Sequence, residues 1–518
     1  MTDKYGNLAP SGQVTLGGGW IETEFDDLVV TPMKEDALKD VKVVEYRKII
    51  TPQEKENKRQ QERANYRTVK VNELVDSRTD VSLDGTWLFM PEYQLNDKDK
   101  AISVATDDKN WHVMSVPNFW NPIRIWLHGE TMPSPTGPQP KGVSDTYYQQ
   151  ETVRCEGYTF DYRKTKAAWY RQWVELPANV EGKNMTLTFD AVSKVAEIYI
   201  NGELAGSHIG MFGEIQVDGS KLLKSGKNLV VVKVISKTDG SSSESGSAAI
   251  DFFYSSVRES EKEDGKVSAK SNLLKDIAHG FYGDEPAGIW QPVKLTITSQ
   301  LKVEDVFIKP SLDGATFDLT VKNHGTKKNQ FNLYTDIVDK ETGSVLYSKL
   351  SLQKLVLNAD EEKMFTYNIN GLKPRLWTPH HPNLYDFRFR LVAARGHELD
   401  CLTETSGFRT FEVKEGLFFL NGNRYWLRGG NHIPFALAPN DLNLANTFMQ
   451  LMKAGNIDVT RTHTTPWNKL WMGAADKNGI GVSFEGTWPW LMIHSTPLPD
   501  AKPVSYTHLR AHETSLHL

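Results

Sequence analysis

Strand and helix signals alternate after residue 413, and this rhythm confines that part of the chain to a parallel α/β arrangement. Tyr425-Trp-Leu427 reads as a short strand. Asp441 suits the cap of a helix whose Leu444, Phe448, Leu451 and Met452 share one face, and Gly455 suits its end. Ile457 to Thr460 reads as a second strand, and residues 468–477 as a second helix with Leu470, Trp471 and Ala474 inward. Asn478-Gly479 closes that helix, and Ile480 to Phe484 forms a third strand. Parallel strands need a long crossover, usually a helix, so this order predicts the opening of a parallel α/β barrel. In such a barrel the strand C-termini face the reaction site. The segments Trp426-Leu-Arg-Gly-Gly-Asn-His-Ile-Pro434, Val459-Thr-Arg-Thr-His463 and Val482-Ser-Phe-Glu485 supply three of those ends.

Upstream the texture is all-β. From about Val81 to Leu295, short strands such as Thr186–Phe189 and Leu229–Ile235 are divided by Gly, Pro, Asn and Asp. Glu197-Ile-Tyr-Ile200 leads into Asn201-Gly202, the strongest two-residue hairpin signal, because both central residues must take positive φ. Residues 121–165, with Pro133, Pro135, Pro138 and Pro140, and residues 236–275, with Ser241 to Ser247, read as surface insertions. From 299 to 412, Val303–Ile308, Thr316–Val321 and Tyr385–Arg390 alternate as half-buried strands do, which suits an immunoglobulin-like sandwich. Residues 1–75 are weakly patterned, and the mixed-charge run Gln53–Asn65 predicts a solvated helix or linker.

The expected architecture is therefore multidomain and mainly β. An N-terminal extension (1–75) precedes a sandwich (76–298) and an immunoglobulin-like sandwich (299–412). An incomplete (β/α)8 barrel of about three units (413–496) follows, and an aberrant tail (497–518) ends the chain.

Composition excludes more than it selects. A net charge of −5 over 518 residues gives no reason to expect nucleic acid or an anionic membrane as partner. No apolar run is long enough to span a bilayer. The N-terminus lacks the basic-then-apolar pattern of a signal peptide. The compartment stays open: cytoplasmic for a true start, periplasmic or extracellular for a start internal to a longer precursor. Cys155 and Cys401 make neither a disulfide framework nor a metal cluster. The fourteen tryptophans fit either large sandwich cores or faces that stack on sugar rings. In the tail, three of fourteen histidines fall between His508 and His517, which reads as an out-of-register end or, less simply, a metal-binding segment.

Several segments, in order, resemble glycoside hydrolase family 2. They are Leu83-Asp-Gly-Thr-Trp-Leu-Phe89, Ala168-Trp-Tyr-Arg-Gln-Trp173, Asn201-Gly-Glu-Leu-Ala-Gly-Ser-His208 and Gly288-Ile-Trp-Gln-Pro-Val293. Leu376-Trp-Thr-Pro-His-His-Pro-Asn-Leu-Tyr385, Gly407-Phe-Arg409 and Leu420-Asn-Gly-Asn423 continue the series into the barrel entry. The resemblance implies that the first sandwich is a jelly-roll sugar-binding domain. It also implies an exo-β-glycosidase of β-galactosidase or β-mannosidase type, hydrolysing O-glycosidic bonds with retention through two carboxylates about 5–5.5 Å apart. In that family the acid/base Glu follows an Asn near the fourth barrel strand and the nucleophile ends the seventh. No Asn-Glu pair follows Glu485 here, so the expectation is a fragment without either catalytic residue, and inactive.

The same resemblance assigns candidate substrate contacts. Arg461 matches an Arg that supports the carboxylate cluster, the alternative being a barrel-lining ion pair. His463 lies one position from the family's second-strand His. Asn431 matches the Asn of the first strand end, where it bonds a hydroxyl or caps the loop. Glu485 matches an acidic residue with a hydroxyl-binding or supporting role rather than a catalytic one. Trp488 and Trp490 suit the wall of a sugar subsite or plain packing. The Glu-Thr-His that holds magnesium in metal-dependent β-galactosidases is absent after Glu485, so no metal and no cofactor are expected. The partner would be a β-linked oligosaccharide or glycoside. Two other readings compete: a non-catalytic carbohydrate-binding protein using Trp120, Trp126, Tyr147 and Tyr148, and a scaffold that docks to a homologue.

Overall fold

Asn201 and Gly202 take φ of 53° and 92°, the left-handed backbone that the tight turn requires. The turn joins strands Val195–Ile200 and Glu203–Ile209. They begin a seven-strand sheet that continues through Gly226–Ile235, Ala167–Leu176, Gly85–Pro91 and His112–Val116. A four-strand sheet, Ile215–Asp218, Asn184–Phe189, Val293–Thr298 and Arg78–Ser82, packs against it. Trp87, Phe89, Trp120, Tyr170 and Phe189 fill the space between. The computed structural model describes residues 52–74, 77–121, 123–128, 147–153, 155, 157–193, 195–235, 287–431, 438–462 and 466–484, with backbone alone for 123–128, 147–153, Ile209 and Asn431. The 236–275 insertion and the 497–518 tail lie outside these residues. Of the 121–165 insertion, Ile123–His128 and Tyr147–Val153 pair as an antiparallel ribbon.

The outer face of the larger sheet is covered as well. Leu88, Trp111, Trp169 and Val231 bury against Tyr66, Leu95 and Ile102. Residues 52–70 therefore belong to this module instead of forming a separate extension. Helix Pro52–Arg63 buries no residue, as its mixed charge implies, but Arg63 meets Asp108 at 2.7 Å. Val69–Lys70 adds a parallel strand beside Ala167–Leu176. The two ends of the module are stitched together. The Leu83 N–H donates to the Val293 carbonyl at 2.8 Å, and the Val293 N–H donates to the Asp84 carboxylate at 2.8 Å. At Gly288, with φ 146°, a Cβ would sit 2.4 Å from the Asn118 carbonyl, so only glycine fits.

The second module packs strands Leu301–Pro310, Ala315–Asn323 and Glu362–Ile369 on Val345–Leu357, Asn329–Asp339, Tyr385–Ala393 and Glu398–Ser406. Phe317, Phe331, Phe387, Phe389 and Phe408 form its centre. Ala315–Asn323 alternates buried and half-buried side chains throughout, as a strand with one face on the core does. Leu301–Pro310 does not, because the register shifts between Val303 and Asp305. Arg78 ties the two sandwiches: Nε and Nη2 donate to the Asp400 carboxylate at 2.9 and 2.7 Å. Asp400, fully buried, also accepts the Val303 N–H at 2.7 Å. A bidentate, fully bonded pair is the geometry in which a buried charge is tolerated.

After a short meander (Phe411–Lys414, Leu417–Leu420, Asn423–Arg424), three strands, Gly429–Asn431, Val459–Arg461 and Gly481–Ser483, run parallel, with helices Leu442–Ala454 and Lys469–Asn478 between them. Tyr425–Leu427, expected as the first strand, is not one: Trp426 is 77% exposed, and pairing starts at Gly429, whose missing Cβ lets the Val459 carbonyl approach. Leu451, expected on the inner helix face, is 63% exposed; Met452 is buried as expected, together with Ala445 and Met449. Leu444 and Phe448 pack half-buried against the same cluster, so the inner face is centred one residue further along than expected.

Both sandwiches grip this α/β segment. Trp290 stacks on Phe119 with ring centres 5.5 Å apart and shares one buried cluster with Met449, Trp467 and Trp471. On the other side the Trp377 indole N–H donates to the Asp476 carbonyl at 2.9 Å. Burial pushes the Asp476 carboxyl up to about 6, against the opposing pull of Arg409.

Two outcomes follow. Residues 52–412 expressed alone should unfold cooperatively, whereas 413–518 alone should not; sharp, dispersed amide NMR peaks from 413–518 would contradict this. A carboxyl whose folded pKa lies above its unfolded value costs stability as pH rises through the folded value. Asp476→Asn should therefore gain about 2–3 kcal/mol relative to the parent between pH 4 and pH 7. A difference that stays flat in denaturant melts at the two pH values would refute the assignment.

Candidate active site

The site is built on a row of strand ends. Asn431, Arg461 and Ser483 are register partners across the three parallel strands, so their Cα atoms line up at the C-terminal edge. Gly429 permits this close approach: a Cβ there would lie 2.8 Å from the Val459 carbonyl. Beyond the row the Thr462 N–H donates to the Ser483 carbonyl at 3.1 Å, extending the alignment by one residue.

The opposite edge of the sheet is locked by Asp458. Its buried carboxylate accepts from the Tyr425 hydroxyl at 2.6 Å, from Lys453 Nζ at 2.9 Å and from the Arg428 guanidinium. Burial raises the carboxyl's pKa, but these three donors outweigh it and leave the net value lowered. The lock fixes where each strand starts, and hence the height of its far end. Sequence reading missed Asp458. The signal was present as an acid immediately before an apolar strand, flanked by Arg428 and Lys453.

The helices are set by caps and by the first sandwich. Asp441 accepts from the Asn443 and Leu444 N–H groups, and Asn468 from the Trp471 N–H, satisfying donors the helix starts leave open. The Asn468 amide also donates to Gln291 Oε1 at 2.7 Å and to the Pro439 carbonyl at 2.8 Å. Asn440 Nδ2 donates to the Trp290 carbonyl at 2.8 Å. The segment Gly288–Val293 thus both closes the first sandwich and seats the two helices.

Among the expected site residues, the structure brings Asn431 and Arg461 together in the row, with the Arg461 side chain exposed. His463, Glu485 and Trp488 lie outside the described residues. Trp120 is fully buried, its indole N–H donating to the Thr165 carbonyl at 3.2 Å, so it offers no face to a sugar. Trp126, Tyr147 and Tyr148 lie in the paired strands Ile123–His128 and Tyr147–Val153, described as backbone alone. Among the described residues no three His, Cys, Asp or Glu side chains are placed to hold a metal ion, and no helix is long and apolar enough to cross a membrane.

Comparison with known proteins agrees with this framework. Residues 301–409 match the model of glycosyl hydrolases family 2, and residues 141–268 match the glycosyl hydrolase 2 galactose-binding domain-like model. A Formosa agariphila protein, provisionally named a β-glucuronidase, is 25% identical over 80% of this chain and 42% of its own length. A β-galactosidase of Priestia megaterium is 24% identical over 85% of this chain and 40% of its own length. The crystal structure of a Bacteroides uniformis β-glucuronidase superposes with a TM-score of 0.54 at 22% identity, covering 78% of this chain and 42% of that one. The chain thus spans about two-fifths of the length of the curated relatives it matches. Two family models matched in order, with these relatives aligned across most of the chain, support a place in glycoside hydrolase family 2.

Proposed function

We propose that this chain carries the sugar-recognition and scaffolding part of a retaining exo-β-glycosidase acting on terminal β-galactosides or β-glucuronides. The observation that carries the reading is the aligned row Asn431, Arg461, Ser483 at the C-terminal edge of three parallel strands. In this reading the first module is a jelly-roll sugar-binding domain, the second is immunoglobulin-like, and the third opens a (β/α)8 barrel. The names of the relatives favour galactoside or glucuronide over mannoside.

Each described residue has a defined task. The planar fork of Arg461 stands at the barrel mouth, where it can hold a carboxylate through two parallel bonds. That carboxylate is either a catalytic one or, for a glucuronide, the substrate's own. Asn431 supplies an amide for a hydroxyl. His463, Glu485 and Trp488 follow these strand ends in sequence and are the next candidates for sugar contacts. Retention needs two carboxylates whose environments split their pKa values, one protonated to expel the leaving oxygen and one ionised to attack. No Asn-Glu pair follows Glu485 in the sequence, so the acid/base is not supplied by these residues.

The 518-residue polypeptide should therefore show no turnover of nitrophenyl β-galactoside or nitrophenyl β-glucuronide, and a clear steady-state rate would overturn this. Replacing the residues after Phe484 with the corresponding part of the Priestia megaterium β-galactosidase should give turnover. In that chimera Arg461→Ala should lower kcat/KM by about 10–100-fold, the worth of a charge-assisted bond pair. A folded chimera that hydrolyses neither substrate would count against the reading.

A further inference from the structure

A cavity of about 120 Å³ lies where the two sandwiches meet the second helix of the α/β segment. Its floor is the outer face of the four-strand sheet, where Thr186 stands opposite Thr296 and Thr188 opposite Lys294. The second sandwich contributes Phe307 from strand Leu301–Pro310 and Glu404 from strand Glu398–Ser406. Lys469, the first residue of helix Lys469–Asn478, closes one side.

Most of the charge here is already committed. Arg78 holds Asp400. Lys302 meets Glu304 at 2.6 Å, and Glu304 also meets His324. Lys469 meets Glu214 at 2.7 Å, and the Thr296 hydroxyl donates to Asp80. Two groups are different. Among the described residues, neither the Lys294 ammonium nor the Glu404 carboxylate makes a hydrogen bond or ion pair, although each feels the other's charge. Glu404 stands at the mouth, and surrounding protein raises its pKa above the usual carboxylate range.

The chemistry of the lining selects a ligand class. A carboxylate accepts from two adjacent hydroxyls, an ammonium donates to a third or to a ring oxygen, and a threonine hydroxyl does either. A half-exposed phenyl ring covers the C–H face of a sugar. The enclosed space is smaller than a whole hexose, so a single ring seats one edge in it and projects through the open mouth.

We propose that this junction cavity binds a single neutral monosaccharide, held by Glu404 and Lys294 against Phe307, and that its occupation ties the two sandwiches to each other. Lys294 belongs to the first sandwich and Glu404 and Phe307 to the second, so a ligand held by all three stabilises their mutual arrangement by mass action. The site stands on this lining alone and does not require turnover at the strand ends.

Galactose and glucose titrated into the 518-residue chain test it, read by saturation-transfer NMR and by the heat-unfolding midpoint. Saturable transfer is expected, with a rise in Tm of about 2–4 °C at tenfold excess over Kd. Glu404→Gln combined with Lys294→Met should remove the saturable part and leave only the linear rise that any excluded solute, such as sucrose, produces. Glu404→Gln alone should weaken saturation at least several-fold and serves if the double variant folds poorly. Absence of saturation in the parent chain, or equal saturation in the variants, would overturn the proposal. Failure of the turnover predictions leaves this binding measurement unaffected, so the two readings fall separately.

Discussion

Trp290 is the contact on which the arrangement of the modules turns. Its ring lies buried between Phe119 of the first sandwich and Met449, Trp467 and Trp471 of the α/β segment, and its own carbonyl receives the Asn440 amide. Its indole N–H donates to the Met211 carbonyl at 2.8 Å, so the ring is fixed in plane as well as in depth. Three short parallel strands with two helices do not close a core alone, because an α/β layer buries its sheet only when both faces are covered; Phe119, Ala191, Met211 and Trp290 complete theirs. The α/β segment here borrows that cover from the first sandwich through Trp290. From the second it takes the loop around Trp377, whose indole holds the end of helix Lys469–Asn478.

Electrostatics divides the labour with packing. The apolar junctions set distance, and the charged ones set register. Asp400 receives Arg78 in two bonds and the Val303 N–H in a third, which leaves little freedom for the two sandwiches to rotate against each other. Asp458 plays the same part at the lower edge of the parallel strands, where two cations and a phenol converge on one carboxylate. Such sites stabilise less through net Coulomb gain than through the penalty of leaving a buried charge unpaired. Misplacing any of these strands leaves an acid without its donors.

Local features were legible in the sequence and long-range ones were not. Asn201-Gly202 announced its turn because positive φ is a local requirement. Asp441, Asn478 and Gly479 marked helix ends for the same reason. The strand at Tyr425–Leu427 was misplaced because apolar periodicity cannot tell a paired strand from an extended segment bearing an exposed tryptophan. Leu451 was put inward because a helix face was drawn from hydrophobicity, while the buried face runs through Ala445, Met449 and Met452. The assignment of residues 52–70 to the first sandwich depends on pairings with Asp108 and with strand Ala167–Leu176, more than forty residues away, which no local pattern carries. At the candidate site, Asn431 and Arg461 were found by motif. Trp290 and Asn468, which help place them, were passed over because their roles exist only across module boundaries, and Asp458 because its donors Tyr425 and Arg428 lie about thirty residues away.

The claim that the sandwiches hold the strand-end row in place is tested most directly by amide hydrogen exchange over residues 457–484 in the 518-residue chain, compared with its Trp290→Ala variant. Truncating a buried tryptophan costs about 3–5 kcal/mol. The account predicts that protection at Thr460, Thr462 and Val482 falls steeply in the variant, while Phe387 and Phe389 in the second sandwich keep theirs. Protection that is equal in both chains across residues 457–484 would contradict it.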